Sequence, residues 1–356
     1  MMRADVFAEL LRAWDGEEVA VRFDRATETW MLVCVHSTVL GPASGGTRMK
    51  VYAEPHEALR DGLRLAAAMT SKNALAGLPL GGGKAVLAVP EIPTGERRRE
   101  ILLRYAELVD ALGGTYVTAC DMNTTERDMD VVAERTRHVM GRSVEAGGSG
   151  SSAPATAVGV FHGLRAAAAH VFGTEDLSGR RVVIQGVGAV GSVLARLLAE
   201  AGAELVLADV HEGRVAALAA ELGAEVVPAA SALSTPCDVL SPCASGGVLN
   251  RETIPTLRCR VVAGAANNQL GEPEDADRLA ERGICYAPDH VVNAGGIIHL
   301  ASLELLGEDE ARRDERLRGI AETLGECFRR AEAERISTGA AAERMVAERL
   351  AAARAG

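Results

Sequence analysis

Three side chains in the first third of the chain have the types and spacing that proton transfer requires. Lys72 and Lys84 lie in the segment MTSKNALAGLPLGGGKAV, and Asp121 follows the short apolar run VTAC. Two ammonium groups that converge on one site depress the pKa of one of them, which makes a lysine competent as a base near neutral pH. The three residues therefore predict a catalytic site. Two alternatives stay open: surface positions for the lysines, and a helix N-cap for Asp121.

The glycines at 81–83, directly before Lys84, could belong to a phosphate-binding loop. Such a loop has the pattern GxxxxGK[ST], in which the final hydroxyl binds magnesium. Ala85 follows Lys84 in this chain, so the hydroxyl is missing and the phosphate interpretation fails. We expect instead a catalytic loop, containing Gly83 and Lys84, whose glycines let the backbone approach a ligand.

A dinucleotide signature lies in the middle of the chain. Gly186, Gly188 and Gly191 form GxGxxG after the apolar run RVVIQ and at the start of a helix near Ala189. The next apolar run ends at Asp209, about 20 residues on, where a carboxylate can bind the adenine ribose 2′-hydroxyl. The free N–H groups at the helix start suit a pyrophosphate. The signature predicts NAD as cofactor, although the nearby Arg214 weakens the discrimination against NADP.

Two α/β domains with a cleft between them must position these residues. The segment 17–140 alternates short apolar runs with helical patterns, the glycine- and serine-rich stretch AGGSGSSAP follows it, and five or more apolar runs separated by helices or loops come after Arg181. This last pattern is typical of a parallel, doubly wound sheet. We expect a substrate-binding, catalytic and oligomerisation domain at 1–147 and a Rossmann-type NAD-binding domain at 148–331. A C-terminal helix at 332–356 is expected to pack back on the first domain.

Composition excludes several classes of partner. The 356 residues carry a net charge of −11 and only 3% aromatic side chains, which argues against nucleic acid. No segment approaches the roughly 18 continuous apolar residues of a membrane span, and the acidic N-terminal stretch does not look like a secretory signal. The seven cysteines form no CxxC pair, so no metal site is expected. We expect a cytoplasmic protein that acts on small molecules.

The motifs together resemble those of a known family. GPASGGTRM, MTSKNALAGLPLGGGKAV, TACDMNT, GVGAVG, SPCASGGVLN, VVAGAANNQL and YAPDHVVNAGGIIHL occur in the order found in the glutamate, leucine, phenylalanine and valine dehydrogenases. The resemblance covers about residues 15–350. Within it, RFDR, GRSVEAGGSGSSA and LSTPCD look most like the actinobacterial phenylalanine dehydrogenases. The resemblance also implies a homo-oligomer.

The resemblance implies a role for each residue of the site. Lys84 would be the general base that activates water, Asp121 would hold the amino group, and Lys72 would bind the substrate carboxylate. The implied substrate-binding residues are Gly45, Gly46, Lys72, Met69, Ser44, Ala119, Asn267, Ile297 and Leu300. The implied cofactor-binding residues are Gly186, Val187, Gly188, Ala189, Val190, Gly191, Asp209, Thr156, Ala244 and Asn267.

The implied activity is the NAD-dependent, reversible oxidative deamination of an apolar L-amino acid to its 2-oxo acid, ammonia and NADH. L-Phenylalanine is the favoured substrate, because Ser44 stands where many leucine- and valine-type enzymes carry a leucine, which clears volume for a phenyl ring. Ile297 acts in the opposite sense by narrowing one wall. Leucine, valine or isoleucine is the alternative substrate, and a non-catalytic nucleotide-sensing protein is a remoter one.

Overall fold

The computed structural model describes residues 3–355, which form two compact units. The first stretch of unit 1 ends at Ser151, four residues after the expected boundary at 147, and the second unit includes helical residues as far as Glu348. The expected limits of the folding domains stay a prediction. The first unit consists of the chain up to Ser151, Leu300–Glu308 and the residues from Arg349, and the second consists of Ser152–His299 and Asp309–Glu348.

The first unit is built on one five-stranded sheet. Its strands are β1 (Glu18–Asp24), β2 (Thr29–Ser37), β3 (Ala43–Lys50), β4 (Gly81–Ala88) and β5 (Tyr116–Cys120), and its helices are α1 (Arg3–Ala13), α2 (Pro55–Leu75), α3 (Gly95–Ala111) and α4 (Glu126–Ala133). The strand order is β1-β2-β4-β3-β5. β2 is antiparallel to β1 and β4, whereas β3 is parallel to β4 and β5.

The two faces of this sheet carry separate cores, because side chains along a strand alternate between faces. Leu87 of β4 packs with Tyr105 of α3 and Met129 of α4. On the opposite face, Val86 packs with Leu59 of α2. Even-numbered positions of β4 therefore face α2, and Lys84 is one of them.

The loop expected at Gly83 and Lys84 is wrong, because both residues lie inside β4. β4 is paired with a strand on each side, and the glycines fit the close approach of other parts of the same unit. A Cβ added to Gly82 would overlap the Thr70 backbone nitrogen in α2, and one added to Gly83 would lie 2.8 Å from the Tyr116 ring. Gly82 and Gly83 thus make room for α2 and Tyr116.

The second unit contains the parallel sheet that the sequence predicts. Its strands are β6 (Arg181–Gln185), β7 (Glu204–Ala208), β8 (Glu225–Val226), β9 (Val239–Pro242), β10 (Val261–Val262) and β11 (Cys285–Tyr286). Every pairing in the order β11-β10-β9-β6-β7-β8 is parallel. The helices are α5 (Ala153–Phe172), α6 (Ala189–Glu200), α7 (Glu212–Leu222), α8 (Asp275–Glu281), α9 (Asp289–Val292), α10 (Gly295–Leu300), α11 (Glu310–Glu334) and α12 (Thr338–Ala355).

Within residues 3–355, no helix is long and apolar enough to cross a membrane. In the same part of the chain, no three His, Cys, Asp or Glu side chains group as a metal site. All seven cysteines are free thiols, of which Cys34 and Cys327 are buried.

Candidate active site

Lys84 and Asp121 form a buried ion pair on the α2 face of the first sheet. The Lys84 Nζ atom lies 3.0 Å from Asp121 Oδ2, and Lys84 is only 5% exposed. A surface position for this lysine is therefore excluded. Asp121 is not the N-cap of α4, because Thr125 caps that helix through a capping box. The surface alternative thus fails for Lys84, and the N-cap alternative fails for Asp121.

A glycine lets the pair meet across β3, which lies between β4 and β5. A Cβ added to Gly46 would lie only 2.7 Å from the Asp121 Cβ atom. Gly45 and Gly46 also lie outside the ladder between β3 and β4, which pairs Ser44 with Gly82 and resumes at Thr47 with Ala85. The Gly45 carbonyl accepts a 2.5 Å hydrogen bond from the Tyr116 hydroxyl. Gly46 is therefore the better candidate for a carbonyl contact with substrate.

The surroundings of the pair lower the pKa of both groups. Burial lowers the pKa of Lys84, and the positive charge of Arg48 acts in the same direction against the opposing charge of Asp121. Burial by itself raises the pKa of Asp121, but the charges and hydrogen bonds of Lys84 and Arg48 lower it well below its usual range. Asp121 is thus charged at neutral pH, and Lys84 is tuned toward the form that accepts a proton.

The arginine beside this pair was missed by the sequence analysis. Arg48 Nε donates to Asp121 Oδ2 at 3.0 Å, and its Nη1 donates to Asp61 Oδ2 at 3.0 Å. Arg48 follows Gly46 by two residues on β3, so strand alternation places both on one face. That spacing is the signal that could have identified it.

Lysine is scarce in this chain, which supports a specific role for Lys72 and Lys84. Only three lysines occur among 38 lysines and arginines, and Lys72 and Lys84 are two of them. Arginine cannot lose its proton in a protein, whereas a buried lysine can. Lys84 is therefore a buried basic residue that can exist in the neutral form, which an arginine at this position could not.

Lys72 lies in the last turn of α2 and is half-buried. The adjacent Asn73 donates to Ser44 Oγ at 2.9 Å and to the Gly81 carbonyl at 2.5 Å, which ties this turn to β3 and β4. Met69 belongs to the same turn region, and its Cγ lies 3.4 Å from where a Gly45 Cβ would be. The structure therefore brings Lys72, Met69 and Ser44 together around the junction of α2 with the sheet.

The remaining residues of the first unit that are expected to bind substrate are apolar. Ala119 of β5 is buried on the same face as Asp121. Leu300 is also buried, and its Cδ1 lies 3.4 Å from the position that a Gly141 Cβ would occupy. Neither side chain could pair with a charged substrate group.

Three other expected residues lie on the second unit. Ile297 is half-buried in α10. Asn267 Oδ1 accepts a 3.0 Å hydrogen bond from Asn293 Nδ2. Thr156, in the first turn of α5, donates to the Ser152 carbonyl at 3.0 Å, and its hydroxyl lies 2.8 Å from where a Gly296 Cβ would be.

The glycine turn after β6 has the geometry of a dinucleotide site. Gly186 has φ +96°, and an added Cβ would lie 2.7 Å from the Ala244 Cβ. A Cβ on Gly191 would overlap the Gly186 carbonyl oxygen, whereas one on Gly188 would meet open space. Tight turn, ligand approach and helix packing are the three roles of glycine in this motif. Val187, Ala189 and Val190 complete the turn into α6, whose N-cap is Gly188.

Asp209 follows β7 and holds this turn. Its Oδ2 accepts the Val187 N–H at 2.8 Å, and its Oδ1 accepts the His211 N–H at 2.9 Å. Burial alone raises the pKa of Asp209, but these two hydrogen bonds keep it below its ordinary value. Each oxygen retains a second lone pair for a ribose hydroxyl. A cavity of about 460 Å³ lies beside the turn and is lined by Gly188, Ala189, Ser192 and Arg214, among others.

Family models match both parts of the chain. Residues 23–138 match the model described as the Glu/Leu/Phe/Val dehydrogenase dimerisation domain. Residues 147–219 and 207–355 match the model described as glutamate/leucine/phenylalanine/valine dehydrogenase. The first model thus covers Lys72, Lys84 and Asp121, and the second covers the glycine turn after β6.

Individual relatives are similar over nearly their full length. The chain is 42% identical to the leucine dehydrogenase of Geobacillus stearothermophilus over 96% of this chain and 92% of the relative. It is 46% identical to the valine dehydrogenase of Streptomyces albus over 99% and 97%. The crystal structure of L-tryptophan dehydrogenase from Nostoc punctiforme matches with a TM-score of 0.84 and 35% identity over 98% of this chain and 100% of that one. The expected amino-acid dehydrogenase is confirmed, and the chain belongs to the glutamate, leucine, phenylalanine and valine dehydrogenase family.

Proposed function

We propose that the chain catalyses the NAD-dependent, reversible oxidative deamination of an apolar L-amino acid, with branched-chain amino acids preferred. The observation that carries the chemistry is the buried Lys84, 3.0 Å from Asp121, on a sheet face shared with Gly46. When bound, NAD would supply the acceptor for the hydride that leaves the substrate Cα. The glycine turn, the cavity beside it and Asp209 fit the dinucleotide.

The residues of the chain supply binding and proton transfer. Asp121, held ionised, accepts hydrogen bonds from the substrate amino group, and the ammonium of Lys72 binds the substrate carboxylate. Lys84 takes a proton from the water that adds to the 2-imino acid, and ammonia then leaves to give the 2-oxo acid. The Gly46 carbonyl contributes a further acceptor for the amino group. Asn267 and Thr156 would bind near the nicotinamide end of the cofactor.

The preference for branched-chain substrates rests on the relatives. Full-length relatives with 42% and 46% identity are leucine and valine dehydrogenases. The pocket residues Ser44, Met69, Ala119 and Leu300 carry no charge, which supports an apolar side chain. The sequence motifs alone favoured phenylalanine over branched-chain substrates, and the relatives reverse that preference. Phenylalanine stays the second candidate, because Ser44 is a small side chain whose hydroxyl is engaged by Asn73 on α2.

A substrate comparison tests both the activity and its preference. We expect NADH oxidation with 2-oxo acids to depend on ammonia, and kcat/KM to be highest for L-leucine, L-valine or L-isoleucine. A misfit of one or two methylenes costs about 1–3 kcal/mol, so measurable turnover of the other apolar substrates is expected. A tenfold lead for L-phenylalanine would establish the second candidate. NADH binding without any ammonia-dependent oxidation would point to a nucleotide-sensing protein.

Replacing Asp209 with alanine should weaken NADH binding and relax the discrimination against NADPH. A hydrogen bond to a charged group contributes about 1.5–3 kcal/mol, which corresponds to a rise in Kd of roughly 10- to 150-fold. Fluorescence titration with NADH and NADPH measures both effects. Glu204→Ala is the matched control, because Glu204 is an exposed carboxylate at the opposite end of β7 from Asp209, and both affinities should then match the wild type. A wild-type preference for NADPH would contradict the assignment of Asp209.

We also propose a homo-oligomer that forms through the first unit, whose family model describes a dimerisation domain. β1 is an edge strand with Val21 46% and Phe23 41% exposed. Sedimentation velocity should show assembly of the wild type and its loss on replacement of both residues with lysine. Val226→Lys is the control, because Val226 lies on edge strand β8 and is 44% exposed. A monomeric wild type would disprove the assembly.

A further inference from the structure

Both cations at the catalytic carboxylate contact the same oxygen. Lys84 Nζ and Arg48 Nε each lie 3.0 Å from Asp121 Oδ2. Two contacts to one oxygen fix the orientation of the carboxylate through Oδ2. That leaves Oδ1 as the oxygen available to a ligand.

A second carboxylate holds the arginine in place. The Arg48 Nη1 atom donates to Asp61 Oδ2 at 3.0 Å, and the Tyr52 hydroxyl donates to the same oxygen at 2.7 Å. The exposed Arg64 donates to Asp61 Oδ1 at 3.0 Å. Arg48 is mostly enclosed, with 14% of its side chain exposed. The guanidinium is thus clamped between two carboxylates and cannot turn toward a substrate carboxylate without breaking an enclosed ion pair.

The charges around Lys84 act with opposite signs. Burial lowers the pKa of Lys84, Asp121 and Asp61 raise it, and Arg48 lowers it. From the elements packed against Lys84, the charged or titratable neighbours are Arg48, Asp121, Asp61, Lys72 and, directly opposite it on β2, the buried thiol of Cys34. Removal of Arg48 and removal of Asp61 should shift the titration of Lys84 in opposite directions.

We propose that Arg48, clamped by Asp61, is the positioning residue that keeps Asp121 Oδ2 turned toward Lys84 and leaves Oδ1 to receive the substrate amino group. This inference rests on the proposed roles of Lys84 and Asp121. The planar fork of arginine is essential to it, because two of its nitrogens on different branches must reach two carboxylates at once. Lysine in place of Arg48 would keep the charge but could reach only one of them.

The scarcity of lysine allows a direct test. Protein labelled with lysine carrying ¹³C at Cε gives three signals, and a Lys84→Met sample identifies that of Lys84. We expect this signal to titrate at higher pH in Arg48→Gln and at lower pH in Asp61→Asn than in the wild type. Arg64→Gln is the matched control, because it removes a guanidinium from Asp61 without touching Asp121. The titration of Lys84 in this variant should match that in the wild type.

Kinetics separate orientation from charge. In Arg48→Lys we expect a titration of Lys84 close to the wild type but a loss in kcat of about 10²-fold, because misplacement of a catalytic group costs roughly that factor. NADH affinity should not change. Turnover of Arg48→Lys within threefold of the wild type, or equal Lys84 titration in Arg48→Gln, Asp61→Asn and wild type, would overturn the proposal.

The proposed activity and the proposed role of Arg48 give different results when either is wrong. If Arg48→Gln does not fold, Asp61→Asn, which keeps the guanidinium in place, carries the titration test. A wild type without ammonia-dependent NADH oxidation would overturn the proposed function. The titration of Lys84 in that inactive protein would still decide whether Arg48 and Asp61 control the carboxylate and the lysine as proposed.

Discussion

Replacing Lys84 with methionine should lower turnover by a factor of about 10²–10⁴, the usual contribution of a positioned general base. Methionine fills most of the space of the buried side chain, and Asp121 keeps its ion pair with Arg48, so the fold should persist. NADH affinity should stay near the wild-type value, because the glycine turn belongs to β6 and α6. Stopped-flow measurement of NADH formation at saturating substrate checks the result.

The matched control is Lys50→Met. Lys50 ends β3 on the exposed surface, with its ammonium 4.9 Å from the centre of the Tyr52 ring. Its loss should leave turnover close to the wild type. The pH profile adds a second check: because the base must be neutral, the wild-type rate should fall on the acidic side as Lys84 becomes protonated. A Lys84→Met enzyme that keeps a third or more of its turnover would disprove the assignment.

Replacing Gly82 with alanine should destabilise the first unit by about 1–3 kcal/mol or more, the typical cost of inserting atoms into a packed core. The added Cβ would overlap the backbone nitrogen and the hydroxyl of Thr70. Relief requires α2 to move away from β4, which also changes the placement of Lys72. We therefore expect both a lower denaturation midpoint in guanidinium chloride and a raised KM for the amino acid.

Gly319→Ala provides the control for this substitution. A Cβ at Gly319, in the middle of α11, would meet nothing within 4 Å. Glycine in a helix interior is less favourable than alanine by roughly 0.5–1 kcal/mol, so this change should be neutral or stabilising. If Gly82→Ala is as stable as Gly319→Ala, the close contact of α2 with β4 is wrong.

Sequence patterns predicted the second unit well and the environment of the lysines less well. The alternation of apolar runs with helices predicted a parallel sheet, and Gly186 and Gly191 make the tight turn and the close helix packing that the spacing predicts. The run of glycines before Lys84 was misinterpreted as a loop, because glycine weakens an isolated strand. The tendency of glycine to weaken a strand is overcome here, because β4 pairs with a strand on each side and Thr70 packs closely against Gly82. These are tertiary contacts, which a local pattern does not contain.

The clamp on Asp121 shows a second limit. Arg48 and Asp61 are thirteen residues apart, one on a strand and the other on a helix, and neither belongs to a motif that implies the other. Only the packing of α2 over the sheet brings them together. Charged residues of this kind look like solvated surface positions in a sequence that contains 35 arginines.

The contact between Thr70 and Gly82 has a consequence for how such enzymes diversify. Lys72 lies two residues after Thr70, and Lys84 lies two residues after Gly82, so this main-chain contact sets the separation of the backbones that carry the two amines. Exchange of the side chains that line the pocket leaves this contact untouched. A scaffold of this kind can change the size of its pocket while its amines keep their separation. A backbone that tolerates such exchanges is consistent with the different substrates for which the relatives are named, which are leucine, valine and tryptophan.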